Sequence, residues 1–145
     1  MSDKVFVDTN ILVYAHDVDA GDKHALARDL VSRLWETRTG ILSTQVLQEF
    51  IVAVTRKVLT PISVAQARRA ARNYCQWELI VNDSRIILQA TEIQEVHQLS
   101  FWDALIVSAA FEGNAAVIAT EDLNDGQRVE GIVVQNPFVH DPSNQ

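Results

Sequence analysis

Short apolar runs alternate with longer segments of helical periodicity along most of the chain. Val5–Val7 is a continuous apolar run of the kind found in strands that are buried on both faces. Four later runs have the same character, and stretches of helical spacing separate them. The expected strands are residues 5–7, 40–42, 79–81, 116–119 and 132–134. This alternation predicts a three-layer α/β fold, with a central parallel sheet of about five short strands flanked by helices.

The stretches between the strands differ in how much of each helix they predict to be buried. A helix from about residue 63 to residue 76 is expected to turn five residues inward, namely Val64, Ala67, Ala71, Tyr74 and Cys75. The segment 100–112 is apolar on nearly every face, which predicts a central helix that is covered on several sides. Gly113 supplies a stop for that helix.

The chain of 145 residues contains no internal repeat and no low-complexity linker, so we expect one domain over residues 1–135, followed by a polar C-terminal tail, 136–145. No apolar run approaches the ~20 residues that cross a bilayer, so a membrane protein is not expected. The single cysteine, Cys75, cannot form an internal disulfide. A reducing, cytoplasmic location fits this composition.

Four carboxylates interrupt the apolar pattern or follow the end of an element. Asp8 ends the first strand, and Asp122 follows the fourth strand by a few residues. Glu49 and Asp103 each lie about one turn into a helix. Because the ends of parallel strands and the starts of the following helices meet at one edge of a sheet, we expect the four side chains to converge there.

Each acid also has a purely structural interpretation. Asp8 is placed to cap the next helix, Ser100 with Asp103 matches a capping box, and Asp122 suits a turn. Glu49 fits a solvated helix face. As a group, however, converging carboxylates would repel one another, and each uncompensated, partly buried charge costs a few kcal/mol. The pattern therefore favours a positive charge at this edge.

The remaining composition limits what that charge is. A net charge of −7 argues at first against a nucleic-acid partner, because phosphates are bound through clustered lysines and arginines. The chain lacks cysteine pairs and histidines spaced four apart, which disfavours a zinc-type site. An all-oxygen site suits Mg²⁺ or Mn²⁺, ions that serve phosphate chemistry and neutralise part of the acidic charge.

The order and spacing of these motifs resemble a known family. The motifs are DTN after the first strand, a glutamate in the helix that follows Ser-Thr, FWDA at the start of the apolar helix, and TED after a later strand. Together they resemble the PIN domain, and the chain length and the TEDLNDGQ turn look like VapC-type toxins of bacterial toxin-antitoxin pairs. The resemblance extends from Val5 to about Val134.

The resemblance implies a fold, an activity and a site. It implies an endoribonuclease that depends on Mg²⁺, for which Mn²⁺ substitutes, and that cleaves RNA phosphodiester bonds with metal-activated water. The implied catalytic and metal-binding residues are Asp8, Glu49, Asp103 and Asp122, with Asn10 and Thr120 as secondary contacts. Glu121 and Asp125 are nearby acids, so the identity of the fourth ligand stays open, as does the number of metal ions.

The resemblance also implies partners, namely an RNA substrate, a cognate antitoxin and a second copy of the chain in a homodimer. Arg68, Arg69 and Arg72 share one face of a predicted helix. That face is either an ordinary solvated surface or a site of contact with RNA phosphates. Spacing alone does not choose between these interpretations or identify the RNA.

Other functions are open to the same residues. A phosphotransferase with an aspartyl nucleophile would place Asp8 similarly, but it expects a second aspartate where the chain has Asn10. A calcium loop beginning at Asp17 fails because its twelfth position is Arg28 rather than glutamate. A PIN-type nuclease that is not a toxin, and a non-catalytic α/β binding module whose acids cap helices, remain as alternatives.

Overall fold

The computed structural model describes residues 2–139, in which six strands form one sheet. The strand order is β3-β2-β1-β4-β6-β5, and every neighbouring pair is parallel except β5 with β6. The strands are β1 (Val5–Val7), β2 (Gly40–Ser43), β3 (Glu78–Ile80), β4 (Val117–Ala119), β5 (Arg128–Val129) and β6 (Ile132–Gln135). The predicted α/β class with a mostly parallel sheet is confirmed, and β5 is a strand that the sequence did not predict.

Six α-helices connect or flank these strands in the described residues. They are α1 (Thr9–His16), α2 (Asp22–Thr37), α3 (Thr44–Val52), α4 (Val64–Tyr74), α5 (Ser84–His97) and α6 (Phe101–Glu112). A π-helical turn, Ala53–Lys57, extends α3. Serine or aspartate side chains accept backbone N–H groups at the starts of α1, α3, α4, α5 and α6, which compensates for amides that lack a partner within the helix.

Strand β1 lies inside the sheet and determines where the acidic residues meet. All three of its residues are buried, as expected for a strand covered on both faces. It pairs with β2 on one side and β4 on the other, with Val7 opposite Ala119. Because β1 and β4 are parallel and in register, the residues that follow them, Asp8 and Thr120, emerge side by side at the same edge.

Helix α6 is the central helix that its apolar sequence predicts. Every residue from 104 to 110 is buried, and the helix packs mainly against α5. It ends at Glu112, as expected, but Gly113 has an ordinary φ of −79° and the left-handed residue is Asn114, with φ of 62°. Asp103, in the first turn, is only partly buried and stands at the end of the helix nearest the sheet edge.

Helix α4 is less covered than predicted. Ala67, Ala71 and Tyr74 are buried, but Val64 is 60% exposed and Cys75, just beyond the helix, is also exposed. The prediction that Val64 and Cys75 face inward is therefore wrong. The physical reason is that α4 lies at the periphery, against α3 and the π-helical turn, so only a narrow stripe of its surface is covered.

The C-terminal segment folds back onto the domain as far as the structure describes it. The Asn136 N–H donates to Asp125, Pro137 is buried, and the Phe138 ring meets Tyr14 edge-on at 5.5 Å between centroids. The rest of the predicted tail, from His140 onwards, lies outside the described residues. Among residues 2–139, no helix is both long enough and apolar enough to cross a bilayer.

Candidate active site

Asp8 is a buried carboxylate whose two oxygens are both held. It is 6% exposed, one oxygen accepts the Thr9 N–H at 2.7 Å, and the other accepts the Thr120 hydroxyl at 2.7 Å. Burial raises the pKa of Asp8 to about 6, and the charges of Asp122 and Glu49 act in the same direction. The hydrogen bonds from Thr120 and Thr9 oppose that rise. Asp8 therefore caps α1, yet burial and the neighbouring charges still destabilise its ionised form.

Thr120 connects the first strand to the late turn. Its hydroxyl donates to Asp8 and at the same time accepts the Asp122 N–H at 3.0 Å. The backbone reinforces the link, because the Asp8 N–H donates to the Ala119 carbonyl at 3.0 Å. The predicted secondary contact, Thr120, is therefore placed directly between two of the predicted acids.

Asp122 lies at the exposed end of this connection. Its partial burial raises its pKa, as do the neighbouring charges of Asp103 and Glu121, while a hydrogen bond from the Asn10 side chain opposes the rise. The carbonyl oxygen of the Asn10 side chain is buried without a hydrogen-bond partner among residues 2–139. Asn10 thus contacts Asp122 and carries an unused acceptor there.

Glu49 is brought to the same edge by a residue that was not predicted. The exposed Glu49 accepts a hydrogen bond from the Thr9 hydroxyl at 3.0 Å, and its charge helps to raise the pKa of Asp8. Thr9 therefore touches two acids, Asp8 through its N–H and Glu49 through its side chain. Its place in the DTN motif, between Asp8 and Asn10, is the signal that would have identified it.

Asp103 does not complete the capping box that its position allows. The Ser100 hydroxyl accepts the Asp103 N–H at 3.1 Å, so the serine does cap α6. The reciprocal bond, from the Ser100 N–H to the Asp103 carboxylate, is not formed. In residues 2–139 that carboxylate accepts no hydrogen bond, and its charge acts on Asp122.

The four predicted acids are therefore linked electrostatically in the order Glu49, Asp8, Asp122, Asp103. Within the described part of the chain, no lysine or arginine forms an ion pair with any of them. These residues also include no ready-made group of three metal-ligating side chains. The arrangement is a set of hard oxygen donors that lacks a compensating positive charge and has ligands on exposed, rotatable side chains.

The two further acids of the late turn are engaged elsewhere. Glu121 accepts hydrogen bonds from Tyr14 at 2.6 Å and from Lys23 at 2.8 Å. Partial burial would raise the pKa of Glu121, but these hydrogen bonds lower it overall. Asp125 accepts the Asn136 N–H at 2.9 Å and so fixes the C-terminal segment.

The three arginines lie on the exposed side of α4. Arg68 and Arg72 border a shallow apolar groove of about 420 Å³ whose other lining residues are Leu47, Ile51, Val64, Ala71 and Cys75. Arg69 is exposed beside them. Helix α3 supplies both Leu47 and Ile51 to this groove and Glu49 to the acidic edge, so one helix connects the two surfaces.

Comparison with known proteins begins with the sequence. A sequence model of the PIN domain family matches residues 5–129. That span includes every acid discussed above and all of the strands except β6. No curated protein matches the chain in sequence.

Solved structures with the same fold come from toxin-antitoxin systems. VapC20 of Mycobacterium tuberculosis, a toxin that cleaves the sarcin-ricin loop, is 20% identical with a TM-score of 0.61, over 82% of this chain and 90% of that one. A toxin-antitoxin complex from Klebsiella pneumoniae is 19% identical with a TM-score of 0.65, over 92% and 98%. DNA-bound VapBC from Salmonella typhimurium is 19% identical with a TM-score of 0.64, over 94% and 99%. At these identities the likeness shows the fold alone.

Proposed function

Because the chain belongs to the PIN domain family, we propose that it is a metal-dependent endoribonuclease and the toxin of a toxin-antitoxin pair. In this proposal Asp8, Glu49, Asp103 and Asp122 are both the metal ligands and the catalytic residues. Mg²⁺ is the physiological ion and Mn²⁺ substitutes for it, since all of the donors are hard oxygens.

The observation that carries the proposal is the state of Asp8. A carboxylate that is 6% exposed, with a pKa raised to about 6 and with two acidic neighbours, is costly unless a cation joins it. No side chain in residues 2–139 supplies that cation by ion pairing. A capping role alone would not require Glu49 and Asp122 to add their charges at the same place.

Each residue has a distinct task in this mechanism. Asp8 is the fixed ligand, because Thr9 and Thr120 hold its oxygens in one orientation. Glu49 and Asp122 are exposed, so their side chains can rotate towards a bound ion. The chemistry that Mg²⁺ or Mn²⁺ supplies in such sites is a lower pKa for an attacking water and stabilisation of the leaving oxygen. Asn10 orients Asp122 through its side-chain hydrogen bond.

The proposed partners follow from the same family and fold. The toxin assignment is supported by structural neighbours that are a VapC toxin, a toxin-antitoxin complex and a DNA-bound VapBC. We propose a cognate antitoxin for this chain on that basis, and a homodimer from its resemblance to the family. The exposed Arg68, Arg69 and Arg72 face is the proposed contact for RNA phosphates.

The direct test is cleavage by purified protein of single-stranded and looped RNA, with Mg²⁺ or Mn²⁺ and with excess EDTA. We expect cleavage only with metal, and none from Asp8→Asn prepared in parallel. Equal cleavage in EDTA, or equal cleavage by Asp8→Asn, would contradict the nuclease site. No cleavage and no rise in melting temperature with Mn²⁺ would favour the binding module instead.

The toxin assignment is tested separately in cells. Expression of the wild type should arrest growth, expression of Asp8→Asn should not, and co-expression of a partner encoded beside it should relieve the arrest. A protein that cleaves RNA in vitro but does not affect growth would be a PIN-type nuclease of another kind.

A further inference from the structure

Glu121 lies between two residues of the site but is turned away from them. Its neighbours in sequence, Thr120 and Asp122, face Asp8 and Asp103, whereas both of its own oxygens are occupied on the other side of the turn. One oxygen accepts the Tyr14 hydroxyl at 2.6 Å, and the other accepts the Lys23 ammonium at 2.8 Å. The Glu121 side chain is 20% exposed and the Lys23 side chain is 46% exposed, so the carboxylate is largely covered while the ammonium stays open to water.

Two aromatic rings hold Lys23 in place in addition to its ion pair with Glu121. Its ammonium lies 5.1 Å from the centroid of the Tyr14 ring and 5.2 Å from that of the Phe138 ring, within the range of cation–π attraction. The two rings meet edge-on, and Phe138 belongs to the C-terminal segment that folds back on the domain. Four side chains from α1, α2, the late turn and the C-terminal segment therefore form one contact group.

We propose that Tyr14, Lys23 and Glu121 form a clamp that positions the turn 120–122 for cleavage, and that Glu121 is not a metal ligand. This proposal rests on the nuclease function proposed above. Tyr14, Lys23 and Glu121 are positioning residues in it, because none of them touches a reacting atom.

The geometry shows how the clamp acts. The turn is attached to α1 at two places, through Thr120 to Asp8 at the start of the helix and through Glu121 to Tyr14 in its second turn. The Asp122 N–H donates to the Thr120 hydroxyl, so a small rotation of the turn would shift Asp122 relative to Asp8. Displacement of a ligand by about 1 Å is enough to cost a large factor in rate.

The test compares Tyr14→Phe, Glu121→Gln and the double variant in cleavage with Mn²⁺. We expect kcat to fall about 10-fold in each single variant, because Tyr14→Phe removes the hydroxyl donor and Glu121→Gln removes the charge that holds Lys23. The loss in the double variant should be smaller than the two losses combined, because both changes open the same clamp. KM for RNA should stay within about twofold. Lys23→Arg should retain more activity than Lys23→Met, because it keeps the ion pair. The matched controls are Arg85→Met and Glu112→Gln, which break an exposed ion pair elsewhere and should leave cleavage unchanged.

Calorimetric titration with Mn²⁺ separates the clamp from direct ligation. In the clamp proposal, Tyr14→Phe and Glu121→Gln keep the wild-type affinity within about threefold, whereas Asp8→Asn loses most of it. If Glu121→Gln alone weakens Mn²⁺ binding tenfold or more, Glu121 is a ligand and the proposal is wrong. Unchanged kcat in both single variants, or additive losses in the double variant, would also overturn it.

The melting temperature of the metal-free protein tells the two proposals apart. If the wild type neither binds Mn²⁺ nor cleaves RNA, the nuclease proposal fails, and the clamp is judged on stability alone. The changes in melting temperature of Tyr14→Phe and Glu121→Gln should then be non-additive in the double variant. Additive changes would show that the two side chains act independently, and the clamp would be rejected.

Discussion

Helices α4 and α6 both begin after a serine whose hydroxyl accepts a backbone N–H three residues further on, at 3.1 Å in each case. In α4 the third residue is Gln66, whose side-chain oxygen accepts the Ser63 N–H at 2.9 Å and so closes the capping box. In α6 the third residue, Asp103, leaves the Ser100 N–H without that bond. The same sequence signature thus has two outcomes.

The difference follows from what lies beyond each helix terminus. The first turn of α4 faces solvent, where a closed box is the best use of the Gln66 side chain. The first turn of α6 meets the acidic edge of the sheet, where the Asp103 charge acts on Asp122. A carboxylate at a helix N-terminus that accepts no capping hydrogen bond is available to bind a cation. That is the role proposed for Asp103.

The largest effect should come from Asp103→Asn. RNA cleavage should fall at least ~100-fold, because the variant loses a ligand charge that serves the transition state. The melting temperature without metal should hold steady or rise, since repulsion with Asp122 is relieved. The rise in melting temperature that Mn²⁺ produces should be smaller than in the wild type.

Asp3→Asn, a change of the same charge at an exposed position away from the acids, is the control for Asp103→Asn and should behave as the wild type. The comparison of the two helices would fail if Asp103→Asn lost stability without metal yet kept near-normal, metal-dependent cleavage. Asp103 would then be a helix cap like its counterpart in α4.

The next effect is the dependence of stability on pH at the acidic edge. Because the folded protein raises the pKa of Asp8 to about 6, its contribution is full below the unfolded pKa, near 3.8, and is lost as pH rises through about 6. Between pH 4 and pH 7, without metal, the wild type should therefore lose about 2 to 3 kcal/mol of its free energy of unfolding relative to Asp8→Asn. Urea denaturation at each pH measures this difference.

Gln66→Glu, at the start of α4, should make stability change with pH in the opposite direction. A carboxylate that accepts the Ser63 N–H at a helix N-terminus has its pKa lowered, so its contribution should appear as pH rises above about 4. A difference between Asp8→Asn and the wild type that does not change with pH would refute the electrostatic account of the acidic edge.

A smaller effect is expected from the outer face of α4. Replacing Arg68, Arg69 and Arg72 with alanine should weaken RNA binding and flatten its salt dependence by roughly 0.7 log units per lost phosphate contact. Binding measured at several salt concentrations gives the slope. An unchanged slope would mean that this face is only a solvated surface, and that α4 contributes nothing to substrate binding.

The smallest effect should come from the closed box itself. Ser63→Ala should lower the free energy of unfolding by about 1 kcal/mol through loss of the cap, with cleavage unchanged. Thermal or urea denaturation together with a cleavage assay measures both quantities. A loss of cleavage at constant stability would place the start of α4 in the active site and would remove the distinction between the two helices.

Much of the fold was predictable because burial leaves a strong trace in sequence. The uninterrupted run of β1 and the all-round apolar character of α6 predict elements covered on several sides, and both are. The convergence of Asp8 with Asp122 follows from the rule that parallel strand ends share an edge. Strand β5 was missed because two residues, Arg128 and Val129, carry no periodic signal.

The parts that could not be predicted depend on distant neighbours. The contact between Tyr14 and Glu121 joins residues 107 apart, and no local pattern indicates it. The exposure of Val64 and Cys75 depends on how much of α4 its neighbours cover, which helical spacing does not specify. Whether Asp103 closes its capping box depends on charges contributed by other elements, so the motif alone leaves both outcomes open.

The 112-residue separation of Asp8 and Thr120 has a consequence for biosynthesis. Strand β1 is made long before β4, one of its two partners in the sheet, since the paired residues Val5 and Val117 are 112 residues apart, and contacts so distant in sequence form late in folding. A nascent chain, or a fragment that ends before Val117, lacks Thr120 and Asp122 and leaves one side of β1 unpaired. The acidic edge is therefore complete only after β4 and the turn that follows it have been made.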